Sequence, residues 1–191
     1  ILARPLKMLV LVDPGGDLEG AYTEGTRVRD TMDSNKLLVN ATLRSGNISP
    51  DFIKKKIRNF DLVHFAGHAD YDPHKPEQSG WRLTSGSLRA GDITKMAGSD
   101  SMPALIFSNA CQSARTEEWG VRVSFQEEIF GLANVFLLAG VRHFLGTFWE
   151  IMDEPSSRFA EEFYQCFMSG MTLGEAVRRA RQALIREYGE E

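Results

Sequence analysis

A thiol and an imidazole stand at matching places in this sequence. His68 follows the apolar run Leu62-Val63-His64-Phe65-Ala66 after a single Gly67, and Cys111 follows Ala104-Leu105-Ile106-Phe107 after Ser108-Asn109-Ala110. Short apolar runs bounded by small and polar residues have the pattern of buried strands. In an open α/β sheet, ligands and catalytic groups gather at the carboxyl ends of the strands. If these two strands are neighbours, the loops leaving them bring the imidazole to the thiol. A free thiol has a pKa of about 8.5, so only about a few per cent is thiolate at neutral pH. A nearby imidazole raises that share and later protonates an amine leaving group. Gly67, Ala69 and Ala110 leave room for a substrate backbone, and the N–H groups of Ala69 and Cys111 are candidates to hold the oxyanion of a tetrahedral intermediate. His68 is thus read as general base and Cys111 as nucleophile.

The other reactive side chains have plainer readings. Cys166 follows Phe159 and Phe163 at helical spacing and falls on the apolar side of its helix, where a thiol packs as a small hydrophobe. His64 lies inside its strand and reads as a hydrogen-bonded core histidine. The cluster His64, His68, Asp70, Asp72 and His74 offers imidazoles and carboxylates in a short span, but alternate strand residues diverge and no cysteine is near, so no metal site is assigned and no cofactor is expected. Trp81, Trp119 and Trp149 read as packing residues. Asp153 is placed to cap a helix ahead of Pro155, and Arg178, Arg179, Arg181 and Arg186 to form a solvated helix face.

The elements that must position the pair follow from periodicity. Residues 7–12 form an apolar run stopped by Asp13-Pro14-Gly15-Gly16, a strand ending in a turn. A helix is expected within 18–36 and a second strand over 37–44. Ser49 with Pro50 marks a helix start, with Phe52, Ile53 and Ile57 repeating at helical spacing and Lys54, Lys55, Lys56 and Arg58 on its solvated side. The third strand is expected over 62–66. This βαβαβ order predicts a parallel sheet covered by helices. Residues 71–101 leave the sheet, with a small hairpin around Thr84-Ser85-Gly86. A fourth strand over 104–107 leads into a polar loop at 108–120 that carries Cys111. Ile129, Leu132, Ala133, Phe136 and Leu137 make a helical stripe ending at Gly140, followed by a strand over 141–148. Two helices close the chain, the second opening on Thr172 and Glu175 in capping-box spacing.

The chain has 191 residues, 42% of them hydrophobic, enough for one domain with an ordinary core. A net charge of −4 gives no general attraction to phosphate backbones or anionic lipid, so direct binding of nucleic acid is not expected. The apolar runs are too short to span a bilayer and no signal segment opens the chain, which reads as cytoplasmic with no membrane partner. The first residue is Ile1, so a fragment of a longer polypeptide is expected. Two cysteines are too few for a disulfide framework.

Several spaced motifs together resemble the CHAT domain, a family of the caspase, separase and metacaspase clan. They are His64-Phe65-Ala66-Gly67-His68-Ala69-Asp70-Tyr71-Asp72, Gly80-Trp81-Arg82-Leu83 with Gly91-Asp92-Ile93, and Ser108-Asn109-Ala110-Cys111. Further along, Ala139-Gly140-Val141-Arg142, Gly146-Thr147-Phe148-Trp149 with Asp153, Phe163-Tyr164, Gly170 and Glu175-Ala176-Val177-Arg178-Arg179-Ala180 resemble the segments that close such domains. The resemblance implies a caspase-like three-layer α/β/α sandwich around a mostly parallel sheet, and endopeptidase cleavage of a protein or peptide substrate by a His-Cys dyad. By position, it implies that Asp13 and Asn109 help form the pocket for the side chain before the scissile bond. The clan's usual His-Gly is His68-Ala69 here, and Asn109 and Ser113 stand where caspases carry Gln and Gly, so strict aspartate specificity is not expected. The family further implies a regulatory module such as TPR repeats or an effector complex and a role in prokaryotic defence. As a fragment without such a module, the chain is expected to be poorly active alone and switched on by ordering of residues 113–124. The rival expectation is a catalytically silent interaction domain with the same fold.

Overall fold

In the computed structural model, residues 4–70, 72, 75–98, 101–111, 125–146 and 153–189 are described, with the backbone alone at 76, 111, 125–131 and 153. The apolar run at the start of the chain forms β1 (Leu6–Val12), and residues 8–12 are all buried because helices cover both faces of the strand. There follow α1 (Glu19–Asp33), β2 (Val39–Ser45), α2 (Pro50–Lys56), β3 (Leu62–Asp70), β4 (Gly80–Leu83), β5 (Gly86–Arg89) and α3 (Ala90–Lys95). The second half carries β6 (Leu105–Cys111), α4 (Phe125–Leu138), β7 (His143–Gly146), α5 (Asp153–Met168) and α6 (Leu173–Tyr188).

Five strands pair in parallel in the order β2-β1-β3-β6-β7. The hairpin β4–β5 joins the far end of β3 through antiparallel pairs Ala69↔Trp81 and Asp70↔Gly80. The period of two along each strand sorts the core into two halves. Leu9, Leu11, Val63, Phe65 and Ile106 pack with Ile53 of α2, Ile93 of α3 and Phe136 of α4. Met8, Val10, Val12, Leu62, Leu105 and Phe107 pack with Val28 and Met32 of α1, Phe163 and Tyr164 of α5, and Ala176 and Ala180 of α6. The result is the expected three-layer α/β/α sandwich.

Local signals set several element ends. The Ser49 side chain accepts from Phe52 N at 3.1 Å with Pro50 in the first turn, and Thr172 and Glu175 cap α6 reciprocally. Two glycines permit close approach. A Cβ on Gly25 would stand 2.1 Å from Val12 Cγ1, so α1 rests directly on β1; one on Gly80 would stand 1.9 Å from Leu88 O, so β4 closes tightly on β5. The helix α3 arises inside the excursion, where Gly91 and a length of six residues gave no helical stripe to read.

Two strands run further than their apolar letters. β3 continues to Asp70 and β6 to Cys111, so His68 and Cys111 stand in paired strands and not in loops beyond them. The physical reason is the ladder itself: each strand's backbone groups are satisfied by its neighbour through Gly67↔Ala110 and His68↔Cys111, and β3 is then caught by β4. Residues 113–124, expected to order on activation, lie outside the described residues, as do Tyr71, His74, Trp119 and Trp149.

Candidate active site

The register of β3 against β6 sets Phe65 opposite Ser108, Ala66 opposite Asn109 and His68 opposite Cys111. Neighbouring strands lie about 4.8 Å apart, so the last rung of this ladder brings the histidine and the cysteine to adjacent backbone positions. The rung is at the carboxyl edge of the parallel sheet, where the turn from β1 to α1 also arrives.

That turn is built around Asp13, which is 7% exposed with a positive φ of 41°. Its Oδ1 accepts from the amides of Asp17 at 2.9 Å and Leu18 at 3.0 Å, and its own N–H donates to Ala66 O at 2.9 Å. Thr84 Oγ1 donates to Pro14 O at 2.7 Å, tying the turn to the β4–β5 hairpin. A Cβ at Gly67 would come within 3.1 Å of Pro14 Cδ, so the turn lies close over the residue before His68. Held this way, Asp17 places Oδ2 3.2 Å from His68 Nε2. The other ring nitrogen, Nδ1, is buried and has no hydrogen-bond partner among the described residues. A carboxylate accepting from Nε2–H leaves the lone pair on Nδ1, the state a general base requires. Asp17 has no sequence motif of its own. The turn-forming Asp13-Pro14-Gly15-Gly16 before it was the available signal, and only the fold turns that signal toward His68.

One and two rungs deeper on the same side of the sheet lies a buried polar group. Asn109 Nδ2 donates to Glu24 Oε2 at 2.7 Å and also meets Ser156 Oγ of α5. His64 Nδ1 lies 3.2 Å from the Tyr164 hydroxyl, and His64 Nε2 is 2.9 Å from Glu24 Oε1. The last approach is close but lacks the alignment of a hydrogen bond, and Asn109 Oδ1 likewise has no hydrogen-bond partner among the described residues. Glu24 is 3% exposed and His64 fully buried. Burial, and after it the Glu24 carboxylate, push the Tyr164 phenol well above its ordinary range, so it stays protonated. Removing one partner of a buried charged pair elsewhere costs about 3–5 kcal/mol, whereas replacing the whole group by apolar residues is often neutral or stabilising.

Of the two residues expected in the substrate pocket, Asp13 spends Oδ1 on its own turn and Asn109 directs its amide nitrogen to Glu24 and Ser156. His64 is the buried, hydrogen-bonded histidine expected. Asp70 is held by Arg82, with Nη2 to Oδ1 at 2.5 Å, and by Ser87 Oγ at 3.3 Å. Among the described residues, no group of three or more His, Cys, Asp and Glu side chains is arranged to hold a metal ion. Cys166 is 8% exposed; burial first, then Glu162, raise its thiol pKa and suppress its thiolate. Among the described residues, no helix is long and apolar enough to cross a membrane.

A parallel sheet between two helical layers, with this turn and hairpin over the carboxyl edge of its inner strands, is the caspase-like architecture. Among solved structures, the chain is similar to the crystal structure of the Arg-specific cysteine proteinase gingipain R, at a TM-score of 0.67 and 12% identity over 96% of this chain and 43% of that one. The complex of Porphyromonas gingivalis RgpB pro- and mature domains aligns with a TM-score of 0.66 and 12% identity over 96% of this chain and 44% of that one. The Saccharomyces cerevisiae separase–securin complex aligns with a TM-score of 0.59 and 19% identity over 99% of this chain and 11% of that one. The chain thus spans less than half the length of these structures. No curated protein matches its sequence. The CHAT domain family model matches residues 6–190, and the chain belongs to that family.

Proposed function

We propose that this chain is a cysteine endopeptidase in which Cys111 attacks the scissile carbonyl and His68 is the general base. Deprotonation of the thiol by His68 Nδ1 gives the thiolate. Attack forms a tetrahedral oxyanion, held by the N–H groups of Ala69 and Cys111. Collapse transfers the proton to the leaving amine, and water then hydrolyses the acyl-enzyme. Asp17 orients the imidazole by accepting from Nε2–H. The observation that carries this reading is the His68↔Cys111 rung, together with an imidazole whose Nε2 faces a carboxylate and whose Nδ1 has no hydrogen-bond partner among the described residues.

Asp13 and Asn109 bound the substrate pocket from within, the first by shaping the β1–α1 turn and the second by fixing the strand before the nucleophile. With Asp17 62% exposed at its side chain beside His68, the rim favours a basic residue over an acidic one before the scissile bond. The gingipain relative is described as Arg-specific, in keeping with that preference. A sensor module, such as TPR repeats or an effector complex, controls a cytoplasmic peptidase acting in prokaryotic defence. Family membership supports this regulation and role.

A peptidyl electrophile with a basic residue next to its warhead tests the reading. Modification of Cys111 that disappears in His68→Ala is expected. Labelling confined to Cys166, or absent, contradicts the enzyme and favours a silent interaction domain.

A further inference from the structure

In the buried group formed by Glu24, His64, Asn109, Ser156 and Tyr164, only Asn109 enters the reading above, yet the whole group lies directly beneath the rung. His64 and Ala66 precede His68 on the same side of β3, and Asn109 precedes Cys111 by two positions on β6. The group joins four elements: Glu24 of α1, His64 of β3, Asn109 of β6, and Ser156 and Tyr164 of α5. Among the described residues, Glu24 Oε1, His64 Nε2 and Asn109 Oδ1 are buried without a well-aligned hydrogen bond. A core selected for stability alone would fill this space with apolar side chains, as it does beside His64 at Phe107 and Phe163.

Resting on the proposed dyad, we infer that Glu24, His64 and Asn109 are positioning residues for the nucleophile: the Glu24 carboxylate, braced by His64, holds Asn109 and so fixes the end of β6 at the height of His68. Asn109 is the last described side chain of that face before Cys111, and its amide nitrogen reaches both covering helices, α1 through Glu24 and α5 through Ser156. The same α1 is preceded by Asp17, which contacts His68. One helix therefore references both members of the pair, the base through Asp17 and the nucleophile's strand through Glu24. Loss of the Glu24–Asn109 link lets β6 shift against β3 and weakens coupling of thiol to imidazole.

The test is the pH profile of Cys111 alkylation by iodoacetamide, read by mass spectrometry on the intact protein, with buried Cys166 as an internal control and thermal melting alongside. In Glu24→Leu and Asn109→Leu the rate at pH 7 is expected to fall about tenfold with the profile displaced to higher pH, since less thiolate is held by the imidazole. Glu24→Gln, which still accepts from Asn109, is expected to lose less than Glu24→Leu. Both leucine variants should melt cooperatively and keep Cys166 protected. Wild-type rates and profiles in both leucine variants would overturn the inference while leaving the dyad intact. Exposure of Cys166 with loss of cooperative melting in both would also overturn it, by making the group a fold-holding device. If His68→Ala matches wild type, the dyad itself fails and the inference falls with it.

Discussion

In the proposed reaction His68 serves as general base only while its proton sits on Nε2, and the contact with Asp17 bears on that choice. The 3.2 Å contact from Nε2 to Oδ2 favours the tautomer with Nδ1 free. A buried carboxylate in this role is worth about 10⁴-fold in turnover in serine peptidases. Asp17 is 62% exposed at its side chain, so water can take over part of its task. Asp17→Asn is therefore expected to lower kcat on the order of tenfold with KM little changed, measured on a basic-residue peptide substrate. His68→Ala removes the base and is expected to cost about 10²- to 10⁴-fold. An Asp17→Asn variant with unchanged kcat would mean that Asp17 does not set the tautomer. Cys111 and His68 were legible in the sequence because each follows an apolar run by a few residues. Asp17 was not, because an aspartate after Gly-Gly is indistinguishable from a solvated turn residue until the turn is seen folded over Gly67.

At the scale of elements, sequence pattern found most strands and helices, since Ser49-Pro50, Thr172 with Glu175, and the alternation in β1 each have a local physical cause. The pattern stopped β3 at Ala66 and β6 at Phe107 because Gly67-His68-Ala69 and Ser108-Asn109-Ala110 are small and polar. What extends them is pairing between segments distant in sequence. The short strand β7 and the helix α3 were similarly shaped by their neighbours. Packing of elements gives a sharper test at Gly25. Alanine there gains about 0.8–1 kcal/mol in helix propensity, but its Cβ meets buried Val12 at 2.1 Å, and overpacking of a core costs about 1–3 kcal/mol. The clash wins. Gly25→Ala is expected to lower the melting temperature by about 2–4 °C for each kcal/mol lost, whereas a rise would show that α1 can lift from β1 freely. Removing the Thr172 cap with alanine is expected to cost about 1 kcal/mol by the same measurement.

Across the whole molecule, the pole opposite the His68↔Cys111 rung is pinned by Asp61, which accepts from Arg4 at 2.7 and 2.9 Å and from Lys7 N at 2.7 Å where β1 and β3 begin. The Arg4 hydrogen bond lowers the Asp61 pKa against a burial effect that would raise it. A carboxylate depressed in the folded state stabilises above its unfolded value of about 3.9, and that contribution disappears as pH falls through the folded value. Asp61→Asn is thus expected to melt below wild type at pH 7, with the gap closing in acid. A gap undiminished at low pH would assign the loss to packing. These contacts hold the sheet that sets His68 opposite Cys111, and on that rung the proposed chemistry depends. The most direct measurement is the rate at which a peptidyl electrophile modifies Cys111 in wild type and in His68→Ala across pH 5–9. The account expects fast modification near neutral pH in wild type and a loss of at least about a hundredfold without the imidazole. Identical profiles, or a Cys111 no more reactive than Cys166, would contradict it.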